Sequence, residues 1–369
     1  MRIEDFLSER LLSVWQNQVR YDFTETGVHP MYLRELITRE ELLELYDRVQ
    51  LRYIQTNGIP ALKESICRLY PGATPGHVLV TNGSAEANYL TLWNQVEPGD
   101  EVVVIYPTYL QVPGIARGFG ATVRPVLLRE EQGWAPDLDQ LAERVTPRTK
   151  LIYLCNPNNP TGAILAEREM ETIVRVAERA GAWILADEVY RGAELSGEPG
   201  PSFWGRYDRA LVVSGLSKAY TLPGLRIGWI VGPPEVVERI WGYHDYTTIT
   251  TGALNSELAV VAMRADVRRR ILARNQALSV RNLQVLRGWL AEHPDLFRFV
   301  PPKIGGVALV GYTLDIGSVD LVMRLLREQS VLIVPGEAFG VDRFVRIGYG
   351  HPKLLEGLGL IQQTLAALV

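Results

Sequence analysis

The sequence predicts an α/β protein whose large domain has a mostly parallel, seven-stranded sheet covered by helices, next to a small α+β domain. Between residues 60 and 235, short runs rich in valine and isoleucine alternate with longer segments of helical period, as in repeated β-α units. After Pro234 the pattern changes to long helical stretches. A chain of 369 residues is also long enough for about two domains.

Seven strands and four helices are predicted within the β-α region. The strands are expected at residues 78–82, 101–105, 122–127, 150–155, 182–187, 210–214 and 227–231. The helices between them are expected at residues 85–95, 109–119, 138–144 and 167–180. A sheet of this kind binds ligands beyond the carboxyl ends of its strands.

The remaining segments predict a smaller unit. The helical stretch 267–291 is too long for a crossover and is expected to link two domains. After the Gly305-Gly306 turn we expect strands at 307–312, 331–334 and 344–347, a helix at 319–329 and a last helix after His351. The first 45 residues lack β-α alternation and are expected to pack against this unit. The predicted large domain is therefore 46–274, and residues 1–45 with 275–369 form the small one.

Composition narrows the classes of function. The formal net charge of −4 disfavours binding to nucleic acid through phosphate neutralisation. No apolar run approaches about 18 residues, and the N-terminus is acidic where a signal peptide would be basic, so we expect a cytoplasmic protein that binds no membrane. Two cysteines are too few for a disulfide framework or a four-cysteine zinc site, and no metal is predicted.

Three of the predicted strands run into polar residues. Strand 150–155 leads into the amide-rich segment 156–162, strand 182–187 ends in Asp187 with Tyr190 close behind, and strand 210–214 leads to Lys218. Because the ends of parallel strands share one edge of the sheet, we expect an amide, a carboxylate, a phenol and an amine to converge there.

Each of these groups has a structural and a chemical interpretation. An aspartate after a strongly apolar run is costly to bury unless it is paired, so Asp187 either caps the next helix or holds a cationic ring nitrogen. Lys218, one of five lysines in the chain, is either a solvated loop residue or a desolvated amine with a lowered pKa and a nucleophilic role.

A phosphate site is predicted where strand 78–82 meets the next helix. The segment 81–86 offers a glycine, a serine hydroxyl and the free N–H groups of a helix start, although serine is also an ordinary N-cap. Arg226 follows Lys218 by eight residues and either adds a guanidinium to this phosphate or lies on the surface. An amine, a carboxylate and a phosphate cup together are what pyridoxal phosphate requires.

Four motifs stand in the order and at the spacing of a known family. They are Asn-Pro-Asn-Asn-Pro-Thr-Gly at 156–162, Asp-Glu-Val-Tyr at 187–190, Ser-Lys-Ala-Tyr-Thr-Leu-Pro-Gly-Leu-Arg-Ile-Gly at 217–228 and Arg-Ile-Gly at 346–348. Over nearly its whole length the chain resembles the class I/II aminotransferases of the fold type I pyridoxal-phosphate (PLP) transferases. The resemblance implies PLP as cofactor, amino acid and 2-oxo acid substrates, and a homodimer with shared sites.

The resemblance also implies roles for the residues that meet the cofactor ring. Lys218 would form the Schiff base with PLP and shuttle a proton, and Asp187 would pair with the pyridine nitrogen. Asn159 and Tyr190 would bond the ring oxygen O3′, and Tyr109 would stack on the ring. Lys218, Asp187 and Tyr190 are the implied catalytic residues.

The resemblance also implies which residues bind the phosphate and the substrate. Ser84, the backbone N–H of Ala85, Ser217 and Arg226 are the implied phosphate ligands, joined by Tyr53 from the neighbouring subunit. Arg346 would bind the substrate carboxylate, near Asn159 and Gly27. The chain departs from the family at Gly215, where many members have serine or threonine, and Ser214 is a displaced candidate for the missing hydroxyl.

The leading functional hypothesis is a ping-pong aminotransferase. Segments 26–30, 216–229 and 244–248 resemble capreomycidine-synthase-like enzymes, which eliminate and cyclise a hydroxyarginine, so a β-eliminating, β-replacing or cyclising lyase is the alternative. A non-enzymatic PLP-binding regulator is a minor alternative.

Substrate selectivity is expected from three places. These are segment 21–32, Trp15 and the neighbouring subunit's loop near 244–251. Within them Asp245 either attracts a basic side chain or caps a helix. His29 and His244 are either ordinary hydrogen-bonded residues or substrate contacts.

Overall fold

The computed structural model describes residues 3–368 and contains one large sheet of eight strands. In spatial order these are Val78–Thr81, Gly228–Val231, Ala210–Gly215, Trp183–Asp187, Thr149–Cys155, Glu101–Tyr106, Thr122–Arg129 and Ala135–Pro136. Gly228–Val231 runs antiparallel to both of its neighbours, Ala135–Pro136 runs antiparallel to Thr122–Arg129, and the other pairs are parallel. The predicted fold class is confirmed.

All seven predicted strands are present, with bounds that differ by at most two residues. The central strands are buried on both faces, so successive residues alternate between two cores. In Ala210–Gly215, for example, Val212 lies in the core on one face and Val213 in the core on the other. The eighth strand, Ala135–Pro136, was not predicted because two residues are too few to show a period.

Helices cover the sheet. Four occupy the predicted positions: Ser84–Gln95, Gln111–Gly118, Leu138–Arg144 and Glu167–Ala180. The second of them begins two residues later than predicted, which leaves Tyr109 in the preceding loop. Other helices are Leu7–Trp15, Leu33–Leu36, Arg39–Arg48, Pro60–Cys67, Pro234–His244 and Ala253–Met263, with 3-10 turns at Pro75–His77, Glu130–Gln132, Pro223–Leu225 and Gly336–Phe339.

The C-terminal part forms a second core. An antiparallel sheet has the order Phe297–Phe299, Val307–Tyr312, Phe344–Gly348 and Val334–Pro335, and Tyr21–Asp22 pairs with Val331–Leu332 in a two-stranded parallel sheet. The predicted strand 331–334 is thus two short strands with different partners. Helices Ser318–Gln329 and Leu354–Ala366 complete this part.

The helix Ala265–Ala291 joins the two cores. Its Val267 and Ile271 pack under the large sheet, whereas Leu286 and Trp289 pack in the C-terminal core. The N-terminal residues are likewise divided. Tyr21 and Phe23 lie in the C-terminal core, and Leu36, Ile37 and Leu45 lie under the large sheet. The domain bounds at 46–274 and at 1–45 with 275–369 stay a prediction.

Two kinds of feature are absent from residues 3–368. Within that range, no helix combines the length and the apolar character needed to cross a membrane. The same residues contain no cluster of three or more histidine, cysteine or acidic side chains arranged to hold a metal ion.

Candidate active site

The polar ends of three neighbouring strands meet at one edge of the large sheet. Thr149–Cys155, Trp183–Asp187 and Ala210–Gly215 are adjacent and parallel, with Cys155 opposite Asp187 and Asp187 opposite Val213. A cavity of about 370 Å³ lies at this edge. Nine of the predicted site residues line it: Ser84, Ala85, Tyr109, Asn159, Asp187, Tyr190, Lys218, Arg226 and Arg346.

Asp187 is a buried carboxylate at the floor of this cavity. Its Oδ2 accepts a hydrogen bond from Asn88 Nδ2 at 3.1 Å, and its Oδ1 accepts one from the Val189 N–H at 3.2 Å. Burial raises the pKa of Asp187. No helix follows it before the next strand, so the interpretation as a helix cap is wrong. A buried acid with neutral donors retains the capacity to pair with a cation.

Lys218 lies in the turn that follows Ala210–Gly215, partly buried and on the cavity wall. Burial lowers the pKa of its amine, and the guanidinium groups of Arg346 and Arg226 act in the same direction against Glu25 and Glu9. A larger fraction of this amine is therefore neutral and nucleophilic at physiological pH than in an exposed lysine.

Tyr190 and Asn159 present hydrogen-bonding groups to the same space. The Tyr190 hydroxyl is buried and has no hydrogen-bond partner within the described residues. Burial raises the pKa of Tyr190, which keeps the phenol protonated. Asn159 Oδ1 accepts a hydrogen bond from Arg346 Nη1 at 3.1 Å. An unpaired buried hydroxyl is costly, so the phenol is suited to a polar ligand atom.

The N-terminus of helix Ser84–Gln95 forms an anion cradle at one end of the cavity. A Cβ atom on Gly228 would overlap the backbone of Gly83 and Ser84, and one on Gly83 would lie 2.5 Å from Arg226 Nη2. The two glycines therefore let backbone N–H groups and a guanidinium approach one point. Such a cradle fits a phosphate group.

Gly215 has a steric explanation. A Cβ atom at this position would lie 2.9 Å from the carbonyl oxygen of Ile227, closer than side chains normally approach. Ser214 does not replace the missing hydroxyl, because its Oγ donates to the carbonyl oxygen of Glu188 at 3.2 Å. The cradle thus has backbone and guanidinium donors in place of a hydroxyl at 215.

Three predicted site residues do not line the cavity. Ser217 precedes Lys218 and is half-buried. Gly27 packs against the lysine turn, where a Cβ atom would lie 3.2 Å from the Lys218 carbonyl oxygen. Tyr53 lies at the surface, outside this cavity, with 78% of its area exposed.

The predicted selectivity residues occupy varied positions. Thr24, Glu25 and Thr26 line the cavity. Trp15 packs against the C-terminal core instead, and Asp245 is an exposed C-cap residue of helix Pro234–His244. His244 is buried, with Nε2 3.4 Å from Glu86 Oε2.

The helix Leu7–Trp15 covers the cavity, which the sequence did not predict. Ser8, Glu9, Leu12 and Gln16, from Leu7–Trp15 and the residue after it, line the cavity. The hydroxyl of Tyr109 donates to Glu9 Oε1 at 2.9 Å. Spacing alone does not reveal these residues, because they meet the site only through packing against distant segments.

These residues fit pyridoxal phosphate. The cradle suits its phosphate, the Asp187 carboxylate its cationic ring nitrogen, the free Tyr190 hydroxyl its ring oxygen and the Lys218 amine its aldehyde.

Comparisons with known proteins agree with this fit. The family model for aminotransferases of class I and II matches residues 32–357. The chain is 34% identical over 372 residues to capreomycidine synthase from Streptomyces vinaceus, which covers 98% of this chain and 93% of that protein. It is 30% identical over 338 residues to an aspartate aminotransferase from Streptomyces avermitilis, with 85% and 82% covered.

A solved structure shows the same fold. The crystal structure of a PLP-dependent aminotransferase from Streptococcus suis superposes with a TM-score of 0.94 at 36% sequence identity, covering 100% of this chain and 99% of that one.

Proposed function

The chain belongs to the class I and II aminotransferase family, whose cofactor is PLP, and on that premise we propose that it moves an amino group between an L-amino acid and a 2-oxo acid. One observation carries the proposal. A single cavity holds a lysine amine, a buried carboxylate and a buried guanidinium, at Lys218, Asp187 and Arg346.

Different residues of the chain would contact different parts of the cofactor and the substrate. When bound, PLP supplies an aldehyde that reacts with amines and a ring that withdraws electrons. Asp187 would keep the ring nitrogen protonated, and Tyr190 with Asn159 would hold the ring oxygen. Lys218 Nζ would take the proton from the substrate's Cα and later return it. The cradle at Ser84 would hold the phosphate.

Arg346 is placed to bind the substrate carboxylate. It projects from strand Phe344–Gly348, is 3% exposed and is held by Asn159 Oδ1 and by the Thr24 carbonyl oxygen, to which Nη2 donates at 2.6 Å. Its Nε has no partner within residues 3–368. A planar guanidinium fixed on one side can present two parallel donors to a carboxylate on the other.

Replacing Arg346 with lysine is expected to raise the KM for the amino acid by about 10- to 150-fold, because a point charge loses a bidentate bond of about 1.5–3 kcal/mol. Steady-state kinetics over a range of amino acid concentrations measure this. Arg343→Lys is the matched control, since Arg343 bonds Asp315 at the surface outside the cavity. An unchanged KM in Arg346→Lys would assign the carboxylate to another group.

A homodimer is part of the proposal. Tyr46, Leu51 and Tyr53 are 82%, 90% and 78% exposed within one short stretch, and exposed apolar side chains grouped in this way are typical of an interface. Tyr53 would then reach the phosphate of the partner's site. Sedimentation analysis that gives a monomer mass would contradict this part.

A cyclising or β-eliminating lyase is the second candidate. The 34% identity to capreomycidine synthase over nearly the whole chain favours it. The same residues serve both reactions, because removal of the proton at Cα precedes either transfer or loss of a β-substituent.

Mixing the holoenzyme with amino acid alone separates the two candidates. A transaminase is expected to release one equivalent of 2-oxo acid per site and then stop until a 2-oxo acid acceptor is added. A lyase turns over many times without acceptor. Product formation by mass spectrometry, with and without acceptor, distinguishes them, and repeated turnover on amino acid alone would contradict the transaminase.

A further inference from the structure

Two carboxylates in the cavity have no task in the proposed function. The charged residues on the wall are three cations and three acids: Lys218, Arg226, Arg346, Glu9, Glu25 and Asp187. The cofactor and the substrate carboxylate occupy the three cations, and the ring nitrogen occupies Asp187. Glu9 and Glu25 are left, so the remaining space carries negative charge.

Glu9 is held in a defined position. It lies in helix Leu7–Trp15, is half-buried, and its Oε1 accepts the hydrogen bond from the Tyr109 hydroxyl at 2.9 Å. The ring of Phe6 packs edge-on against Tyr109 with centroids 4.8 Å apart, which fixes the phenol in turn. A carboxylate oriented this way is preorganised for a ligand.

Glu25 lies beside the carboxylate anchor. The preceding residue, Thr24, accepts the Arg346 hydrogen bond through its carbonyl oxygen. The Glu25 side chain is exposed and lines the cavity. A side chain that extends from a substrate held by Arg346 would therefore have Glu25 near its base.

A separate observation points to a ligand in this space. Ser8 is 3% exposed and lines the cavity, and its Oγ has no hydrogen-bond partner within residues 3–368. A buried hydroxyl without a partner is unusual in a folded protein. Ser8 and Glu9 both line the cavity, so a donor group that enters here has a hydroxyl and a carboxylate on the surrounding wall.

We propose that Ser8, Glu9 and Glu25 form a subsite for a cationic substrate side chain, an amine or a guanidinium. The proposal rests on the proposed function, since it takes an amino acid held by Arg346 as its starting point. The side chain of an acidic amino acid would lie near two carboxylates of the same charge, and no free cation among the described wall residues would offset the repulsion. A neutral side chain would leave Glu9 and Glu25 without a cationic partner.

Isosteric amino acid pairs test the subsite. L-arginine with L-citrulline and L-lysine with L-2-aminoheptanoic acid differ chiefly in charge. In spectral titrations of the PLP-loaded enzyme we expect dissociation constants at least about tenfold lower for the cationic member, since a charged hydrogen bond exceeds a neutral one by about 1.4 kcal/mol. In Glu9→Gln the ratio for each pair is expected to fall to about 2 or less.

Two further variants serve as a matched control and as an independent test. Glu4→Gln is the matched control, because Glu4 lies on the same N-terminal segment but pairs with Arg117 outside the cavity. Glu25→Gln is an independent variant should Glu9→Gln fail to fold, and it too is expected to lower the arginine-to-citrulline preference.

The outcomes separate this subsite from the proposed function. Equal binding of arginine and citrulline by the unaltered enzyme, or preference for L-aspartate, would overturn the subsite and leave amino transfer intact. A PLP-loaded protein that gives no spectral response with any amino acid would contradict the proposed function and the subsite with it.

Discussion

Replacement of Lys218 with alanine is expected to abolish both turnover and the visible absorbance band of lysine-bound PLP. Among the five lysines of the chain, only Lys218 lines the cavity. Its amine has a pKa lowered by burial, and it is the only candidate on the wall both to bind the aldehyde covalently and to move the Cα proton. Loss of both roles leaves turnover below detection by steady-state assay.

Lys150→Ala is the matched control for this variant. Lys150 is exposed and lies near the start of strand Thr149–Cys155, at the opposite end of the sheet from the cavity. Its loss is expected to leave the absorbance band unchanged. Borohydride reduction of the unaltered holoenzyme followed by peptide mapping should label Lys218 alone. A label on another lysine, or a retained band in Lys218→Ala, would remove the proposed nucleophile.

The large sheet could be predicted closely because its strands are buried on both faces. Such strands appear in the sequence as short Val/Ile runs bounded by polar turns, and these runs fix strand positions without tertiary information. A two-residue strand leaves no such signal in the sequence. Ala135–Pro136 forms by pairing with Leu128 and Arg129 after a tight turn, and local sequence carries no sign of that partner.

The site residues, too, could be predicted where local sequence places them and could not where only tertiary packing does. Asp187, Tyr190 and Lys218 could be placed together because each lies at or just after the end of a strand, and parallel strands bring their ends to one edge. Ser8 and Glu9 could not, because their helix reaches the cavity by packing across segments that are about a hundred residues away in sequence, as the Glu9–Tyr109 bond shows. The negative charge that Glu9 and Glu25 add to the cavity can therefore be recognised only from the three-dimensional structure.

Asparagine in place of Asp187 is expected to lower turnover by about 100-fold while leaving the fold intact. The change keeps the size of the side chain and removes its charge. Asn88 can adapt by rotating its amide, since its Oδ1 has no partner within residues 3–368. The variant loses the charge-assisted hydrogen bond to the ring nitrogen, which is worth about 3 kcal/mol. Without that bond the ring nitrogen would no longer stay protonated, and the ring would withdraw electrons less strongly. Single-turnover kinetics with an amino acid measure the loss.

Glu188→Gln is the matched control for this variant, because Glu188 is the adjacent buried acid and its Oε1 accepts hydrogen bonds from Ser202 and from the Phe203 N–H. Burial raises the pKa of Glu188 to about 7, so glutamine resembles the form already present in part at neutral pH. A PLP analogue methylated at the ring nitrogen is cationic whatever residue stands at 187, and it should restore part of the turnover of Asp187→Asn. Full activity of Asp187→Asn with PLP, or no gain from the analogue, would mean that the carboxylate acts on something other than the ring nitrogen.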